Sequence, residues 1–137
     1  MNPIYSFFIP TLFLSHIILA QDLPWYASPN TTMVCEQFST ENNKLIRKLT
    51  VKNKSITLID YEKDETALFE ATQVRQVRNS KIWSSKFMEL VIGIKPARFG
   101  QIFGGPAYYS GSIEIMLDKN NPVYHSFFCN PEAPKAE

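Results

Sequence analysis

The spacing of apolar residues predicts a single helix near the N-terminal end of the domain. The segment FSTENNKLIRKLTVKNK, residues 38–54, places Leu45 and Leu49 at helical spacing and leaves basic side chains on the opposite side. Ser39 or Thr40 precedes these positions and can cap the helix, because a side-chain oxygen there accepts a free N–H of the first turn. We therefore predict a helix over this segment.

Alternating or continuously apolar segments later in the chain predict strands. SITLIDY, residues 55–61, alternates apolar and polar positions, and FMELVIGI, residues 87–94, is apolar enough for a central strand. ALFEATQVRQVR, residues 67–78, is read either as a strand or as a segment that begins as a short helix. SIEIMLDKNNPVYHSFFC, residues 112–129, predicts a closing hairpin. Residues 95–111 hold four of the five glycines and predict a long loop, a kind of segment that is often functional.

These elements together predict an α+β fold, with a single N-terminal helix packed on a curved antiparallel sheet of about four to five strands. A helix with one apolar stripe must bury that stripe, and the apolar face of the sheet is the surface that accepts it. The length of residues 21–137 fits a single domain.

Residues 1–20 contain no Lys, Arg, Asp or Glu, and their apolar run ends on the small residue Ala20. This pattern is typical of a cleaved signal peptide and predicts secretion of residues 21–137. The alternative is a membrane anchor, which needs about 20 uninterrupted apolar residues. Pro10 and two polar residues interrupt the run. We therefore favour cleavage after Ala20 and expect no membrane anchor in the mature protein.

The only two cysteines, Cys35 and Cys129, stand near opposite ends of the predicted mature chain. An isolated pair in a secreted protein most simply forms one disulfide, which would close a long loop and stabilise the fold. Two cysteines and one histidine are too few ligands for a metal site, so we expect no metal ion and no cofactor. The sequons at Asn30 and Asn53 are candidate glycosylation sites in a secretory pathway.

The net charge of +1 conceals an asymmetry along the chain. An acidic cluster between Asp60 and Glu70 precedes a basic segment, residues 75–98, that contains Glu89 as its one acid. One interpretation is two oppositely charged, solvated surfaces. The other is a basic face for phosphate, with aromatic rings stacking on unpaired bases. The residues of this candidate RNA-binding surface are Arg75, Arg78, Lys81, Lys86, Arg98, Tyr108 and Tyr109.

The order of these features resembles the small secreted fungal ribonucleases of the guanyl-preferring type. It is still more similar to the ribonuclease-like (RALPH) effectors that powdery mildew fungi secrete into plant cells. The likeness rests on the single end-to-end pair Cys35 and Cys129, FSTENNKLIRKL as the helix, FMELVI as the central strand and SIEIMLDKNNPVYHSFF as the closing hairpin. It implies a microbial-ribonuclease fold, translocation into a host cell, and a host plant protein, host RNA or plant immune receptor as partner. We expect a monomer.

Ribonucleases of this fold need a carboxylate base, a histidine acid and an arginine that stabilises the phosphorane. The resemblance places Glu89 at the position of the base, but Ser112 or Ile113 stands where the arginine belongs. His125 lies two residues before the position of the acid. We therefore predict a catalytically inactive effector that binds host RNA or host protein and suppresses immunity. The alternative is a weakly active endoribonuclease that uses Glu89 and His125.

Overall fold

The computed structural model describes residues 23–97 and 108–132. Within these ranges a one-turn 3-10 helix, Trp25–Ala27, precedes nine strands. The strands are β1 Thr32–Phe38, β2 Leu45–Lys52, β3 Ser55–Asp60, β4 Glu65–Glu70, β5 Gln73–Val77, β6 Ser80–Ser84, β7 Met88–Gly93, β8 Tyr109–Ile115 and β9 Val123–Pro131. They form one antiparallel sheet in the order β4-β3-β2-β1-β9-β8-β7-β6-β5.

The two edge strands of this sheet are adjacent in sequence, which forces the sheet to curl. Strands β4 and β5 stand at opposite ends of the strand order, yet only Ala71 and Thr72 separate them. The Ala71 N–H donates to the carbonyl of Lys54 at 2.8 Å, and the Thr72 N–H donates to the carbonyl of Ser84 at 2.9 Å. These bonds tie the connection to both halves of the sheet, and the result is a half-barrel.

The concave face of the half-barrel carries the hydrophobic core. Alternate residues of each strand point to that face, because successive side chains of a strand lie on opposite sides. Buried side chains from β1, β2, β3, β6, β7, β8 and β9 meet there. Cys35 and Cys129, directly opposite each other on β1 and β9, form a disulfide at the centre of the sheet. The predicted disulfide is thus confirmed.

The predicted α+β fold is wrong, because no α-helix occurs among residues 23–97 and 108–132. The segment 38–54 forms the end of β1, a turn and β2. Ser39, expected as a helix cap, shapes the turn: its hydroxyl oxygen accepts the Glu41 N–H at 3.2 Å, and its own N–H donates to the Lys44 carbonyl at 2.8 Å. Asn43 completes the turn with a φ of 57°.

The apolar spacing of β2 explains the error. Leu49 and Val51 are buried while the residues between and beside them are more exposed, which is the two-residue period of a strand. A separation of four, as between Leu45 and Leu49, satisfies both a helix and a strand, so that spacing alone did not distinguish them. Pairing with β1 and β3 on both sides then decides in favour of the strand.

The predicted number of about four to five strands is also wrong, because the described part of the chain contains nine. Segment 67–78, read as a strand or a helix start, lies in two strands separated by the bend at Ala71 and Thr72. Segment 87–94 contains β7, whose Met88, Leu90 and Ile92 are fully buried. The closing hairpin is present as β8 and β9.

Three expectations fall wholly or largely on parts of the chain without a structural description. The predicted signal peptide, residues 1–20, and Arg98 of the candidate RNA-binding surface lie outside the described residues. The same holds for residues 98–107 of the predicted loop, and the end of that loop was predicted wrongly, because residues 109–111 belong to β8. Within residues 23–97 and 108–132, no helix has the length and apolar character needed to span a membrane.

Candidate functional site

A pocket opens at the end of the half-barrel where the 3-10 helix lies. We call it the tryptophan pocket, and its volume is about 160 Å³. Three parts of the chain line it: the N-terminal segment, strands β1 to β3 with their connections, and strands β5 and β6. The lining residues are Trp25, Ser28, Pro29, Thr31, Met33, Val51, Asn53, Lys54, Val74, Lys81 and Trp83. Apolar side chains form most of its wall, and none of these residues is an acid.

Two tryptophans line the pocket, one from the 3-10 helix and one from β6. Trp83 of β6 is buried, and its indole N–H donates to the carbonyl of Asn53 in the β2–β3 turn at 2.8 Å. Trp25 of the 3-10 helix packs edge-on against Tyr109, with ring centroids 5.2 Å apart. Trp25 is only 8% exposed, and its Nε1 has no acceptor among the described residues. A buried donor without a partner is rare in native proteins and calls for an explanation.

Lys81 points into the same pocket. It stands opposite Ile92, and Ile92 stands opposite Gly111, so Lys81 lies on the concave face with the core. Its Nζ is 5.2 Å from the Trp83 ring centroid, within the range of a cation–π contact. Partial burial lowers the pKa of Lys81 below its usual value, because desolvation disfavours the charged ammonium.

The candidate RNA-binding residues do not form one surface. Lys81 and Tyr109 point inward, and Tyr109 packs against the core. Arg75 stands opposite Ile82 on the convex face, and Arg78 lies in the turn between β5 and β6. Lys86 lies beyond the far end of β6. Tyr108 packs edge-on against Phe128, with ring centroids 4.6 Å apart.

Glu89 and His125 lie on opposite faces of the sheet. Glu89 stands opposite Glu114 on the convex face, between buried neighbours that point inward. His125 stands opposite Ile113, which is buried in the core on the concave face. A carboxylate base and a histidine acid must both reach one substrate. These two side chains, expected as remnants of a catalytic site, are separated by the sheet itself.

His125 belongs to a second cleft, of about 200 Å³, at the other end of the half-barrel. Near it, Arg47 donates to Asp60 at 3.0 Å and to Gln37 at 3.1 Å. Partial burial raises the pKa of Asp60. Hydrogen bonds from the backbone N–H groups of Lys63 and Glu62, together with the Arg47 charge, outweigh this effect and leave the pKa below its usual value. Partial burial, followed by Arg47, lowers the pKa of His125. Among the charged residues that line this cleft, Asp60 is the one with an ion pair between described residues, and its partner is Arg47.

Comparison with known proteins places the chain in no established group. No protein-family model, no curated protein and no solved structure matches it. The geometry of the described residues is therefore the basis for any functional conclusion.

Sequence reasoning missed the tryptophan pocket, although one signal for it was present. Lys81 and Trp83 are separated by two positions, and residues at that spacing on a strand share a face. A strand prediction for segment 80–84 would have placed the lysine beside a buried tryptophan. The role of Trp25 had no such signal, because only the folded chain brings the N-terminal segment onto the end of the sheet.

Both sequons lie at the rim of the tryptophan pocket. Asn53 lines the pocket and is exposed, and exposed Asn30 lies between the lining residues Pro29 and Thr31. Glycans on both residues would flank the mouth of the pocket and hinder the approach of macromolecules more than that of small molecules.

We expect both sequons to carry a glycan when the chain is secreted from eukaryotic cells. Mass spectrometry before and after enzymatic removal of N-glycans measures the occupancy. Thr32→Val and Ser55→Ala should each remove one glycan, because they abolish the sequon without changing the asparagine. A single unmodified mass for the secreted wild-type chain would contradict this prediction.

Proposed function

We propose that this chain is a secreted, non-catalytic binding protein that holds a small molecule in the tryptophan pocket. The observation that carries the proposal is a mostly apolar pocket that is lined by Trp25 and Trp83 and has the Lys81 ammonium beside the Trp83 ring. Pockets of this kind, mostly apolar with a few polar groups, are the usual sites of small-molecule binding.

Secretion and the lack of catalysis belong to the same proposal. The apolar segment 1–20 and the Cys35–Cys129 disulfide support an oxidising, extracellular location. The placement of Glu89 and His125 on opposite faces argues against their use as an acid–base pair. Action on a plant host, through host RNA, a host protein or an immune receptor, rests on the sequence resemblance alone. The ribonuclease fold that the resemblance implies is not the fold of this chain.

Intrinsic fluorescence provides a direct test, because both tryptophans of the chain line the pocket. We expect single-ring compounds from a fragment collection to change the tryptophan emission in a saturable manner. Val74→Phe should weaken this binding about ten-fold or more, because the larger ring fills part of the pocket. Val77→Phe is the matched control: it makes the same change on the same strand, at an exposed position outside the pocket.

Other outcomes would reject the proposal. If no fragment changes the emission, or if Val74→Phe and Val77→Phe bind alike, the pocket is not the binding site. Salt-sensitive binding of single-stranded RNA, lost on replacement of Arg75 and Arg78 by serine, would favour the RNA-binding function instead.

A further inference from the structure

We infer that the ligand of the tryptophan pocket is a small organic anion with a single ring, and that Lys81 is its counter-ion. This inference rests on the proposed function and specifies the class of ligand. It depends on two features of the pocket, which are the charge of Lys81 without an acidic partner and the size of the space that Lys81 lines.

Lys81 lacks a negatively charged partner. The described residues form ion pairs only between Arg47 and the acids Asp60 and Glu62, at the other end of the half-barrel. None of the residues that line the tryptophan pocket is an aspartate or glutamate, and a second cation, Lys54, stands at its rim. Lys81 is only partly buried, and partial loss of water around an ammonium is offset by an opposite charge beside it. A bound anion would supply the missing pair.

The Lys81 side chain offers a ligand hydrogen-bond donors only. Its ammonium has three N–H donors and no acceptor. The carbonyl of Asn53 already accepts the hydrogen bond from Trp83. A ligand rich in acceptors therefore fits better than one that brings further donors. A carboxylate satisfies the ammonium by charge and still has lone pairs for a second donor.

The dimensions of the pocket match an apolar group of about one ring. Its volume is about 160 Å³, and an apolar cavity of about 150 Å³ in another protein accommodates one benzene molecule. Trp25, Met33, Val51, Val74 and Trp83 provide an apolar and aromatic wall for such a ring. Aromatic rings interact favourably in edge-to-face or offset arrangements. Single-ring carboxylates are thus the class that matches both the wall and the cation.

Isothermal titration calorimetry with three ligands of similar shape tests the charge requirement. Phenylacetate is the anion, phenylacetamide the neutral analogue and phenethylamine the cation. At neutral pH we expect phenylacetate to bind about ten-fold or more tightly than phenylacetamide, because a hydrogen bond to a charged group is stronger than a neutral one. We expect phenethylamine to bind more weakly than both.

Substitutions of Lys81 then separate the role of its charge from that of its shape. Lys81→Met keeps an unbranched apolar chain and should remove the preference for phenylacetate while phenylacetamide still binds. Lys81→Arg should retain a preference for the anion. Lys86→Met is the control, because Lys86 lies outside the pocket and its loss should change none of the three affinities. Phenylacetate should also bind more weakly as the pH rises and Lys81 loses its proton.

Equal affinities for phenylacetate and phenylacetamide would overturn the inference, as would a preference for the anion that survives Lys81→Met. In both cases the pocket would still bind small molecules, and the proposed function would stand. Absence of binding by all three compounds also rejects the inference. The fragment experiment with Val74→Phe then decides separately whether the pocket binds any ligand.

Discussion

Simultaneous replacement of Cys35 and Cys129 by alanine should lower the free energy of unfolding by about 3–5 kcal/mol. The disulfide joins residues separated by 94 positions, and the chain-entropy model assigns about 4.7 kcal/mol to a loop of roughly 100 residues. It also ties β1 to β9 at the centre of the sheet, between the two halves of the strand order. Since small domains have total free energies of unfolding of about 5–15 kcal/mol, this loss should leave the protein only marginally stable.

Urea denaturation followed by circular dichroism measures this effect, and the reductant provides a control. Full reduction of the wild-type disulfide should lower the urea midpoint, whereas the double alanine variant has no disulfide and should keep the same midpoint with and without reductant. A wild-type midpoint that does not move on complete reduction would show that the cross-link contributes little to stability.

The second large effect is expected at Gly111, whose neighbour is the disulfide itself. A Cβ atom at Gly111 would lie 2.5 Å from Sγ of Cys129, 3.7 Å from Cγ1 of Ile92 and 3.8 Å from Sγ of Cys35. The sulfur cannot rotate away, because it is bonded to Cys35 across the strand pair. Strand β8 or the disulfide must therefore shift, and we expect Gly111→Ala to destabilise the protein by about 2–3 kcal/mol.

Gly93 is the matched control for this substitution. It ends β7, the neighbour of β8, and a Cβ atom there would meet only backbone oxygens, at 3.7 Å from Ser110 and 3.9 Å from Asn79. Gly93→Ala should change the free energy of unfolding by no more than about 0.5 kcal/mol. Urea denaturation of both variants makes the comparison directly.

A double-mutant cycle identifies the cause of the Gly111 effect. In the Cys35→Ala, Cys129→Ala background the sulfur atoms are absent, so Gly111→Ala should cost much less than in the wild type. Contacting residues typically show coupling of about 0.5–3 kcal/mol. Equal costs in both backgrounds would mean that the disulfide is not the obstacle.

The pattern of apolar and polar residues was sufficient to predict the strands whose residue spacing or composition clearly favours a strand. Residues 55–61 alternate in polarity, and residues 87–94 form a short apolar run with β-branched residues; both contain strands. The segment 38–54 was predicted wrongly because apolar residues four positions apart fit either a helix or a strand. Its six polar residues, 39–44, form a turn in which Ser39 uses the same hydroxyl that would cap a helix.

The candidate site was harder to predict from the sequence than the fold. Glu89 and His125 could be matched to a catalytic pair only by their order along the chain, because the face that each occupies depends on the strand register. The same register places Lys81 on the concave face and Arg75 on the convex one, and so divides a basic segment that is continuous in sequence.

The amino-acid sequence by itself determined the pairing of the two cysteines, the strong strands and the closing hairpin, because each depends on residue type or on spacing within a short segment. Only the tertiary structure decided that the sheet curls, since that follows from the two-residue connection between edge strands β4 and β5. The curl brings Trp25 against one end of the core and leaves Lys81 without an acid among the described residues around it. The tryptophan pocket is therefore a product of long-range packing, which no local pattern encodes.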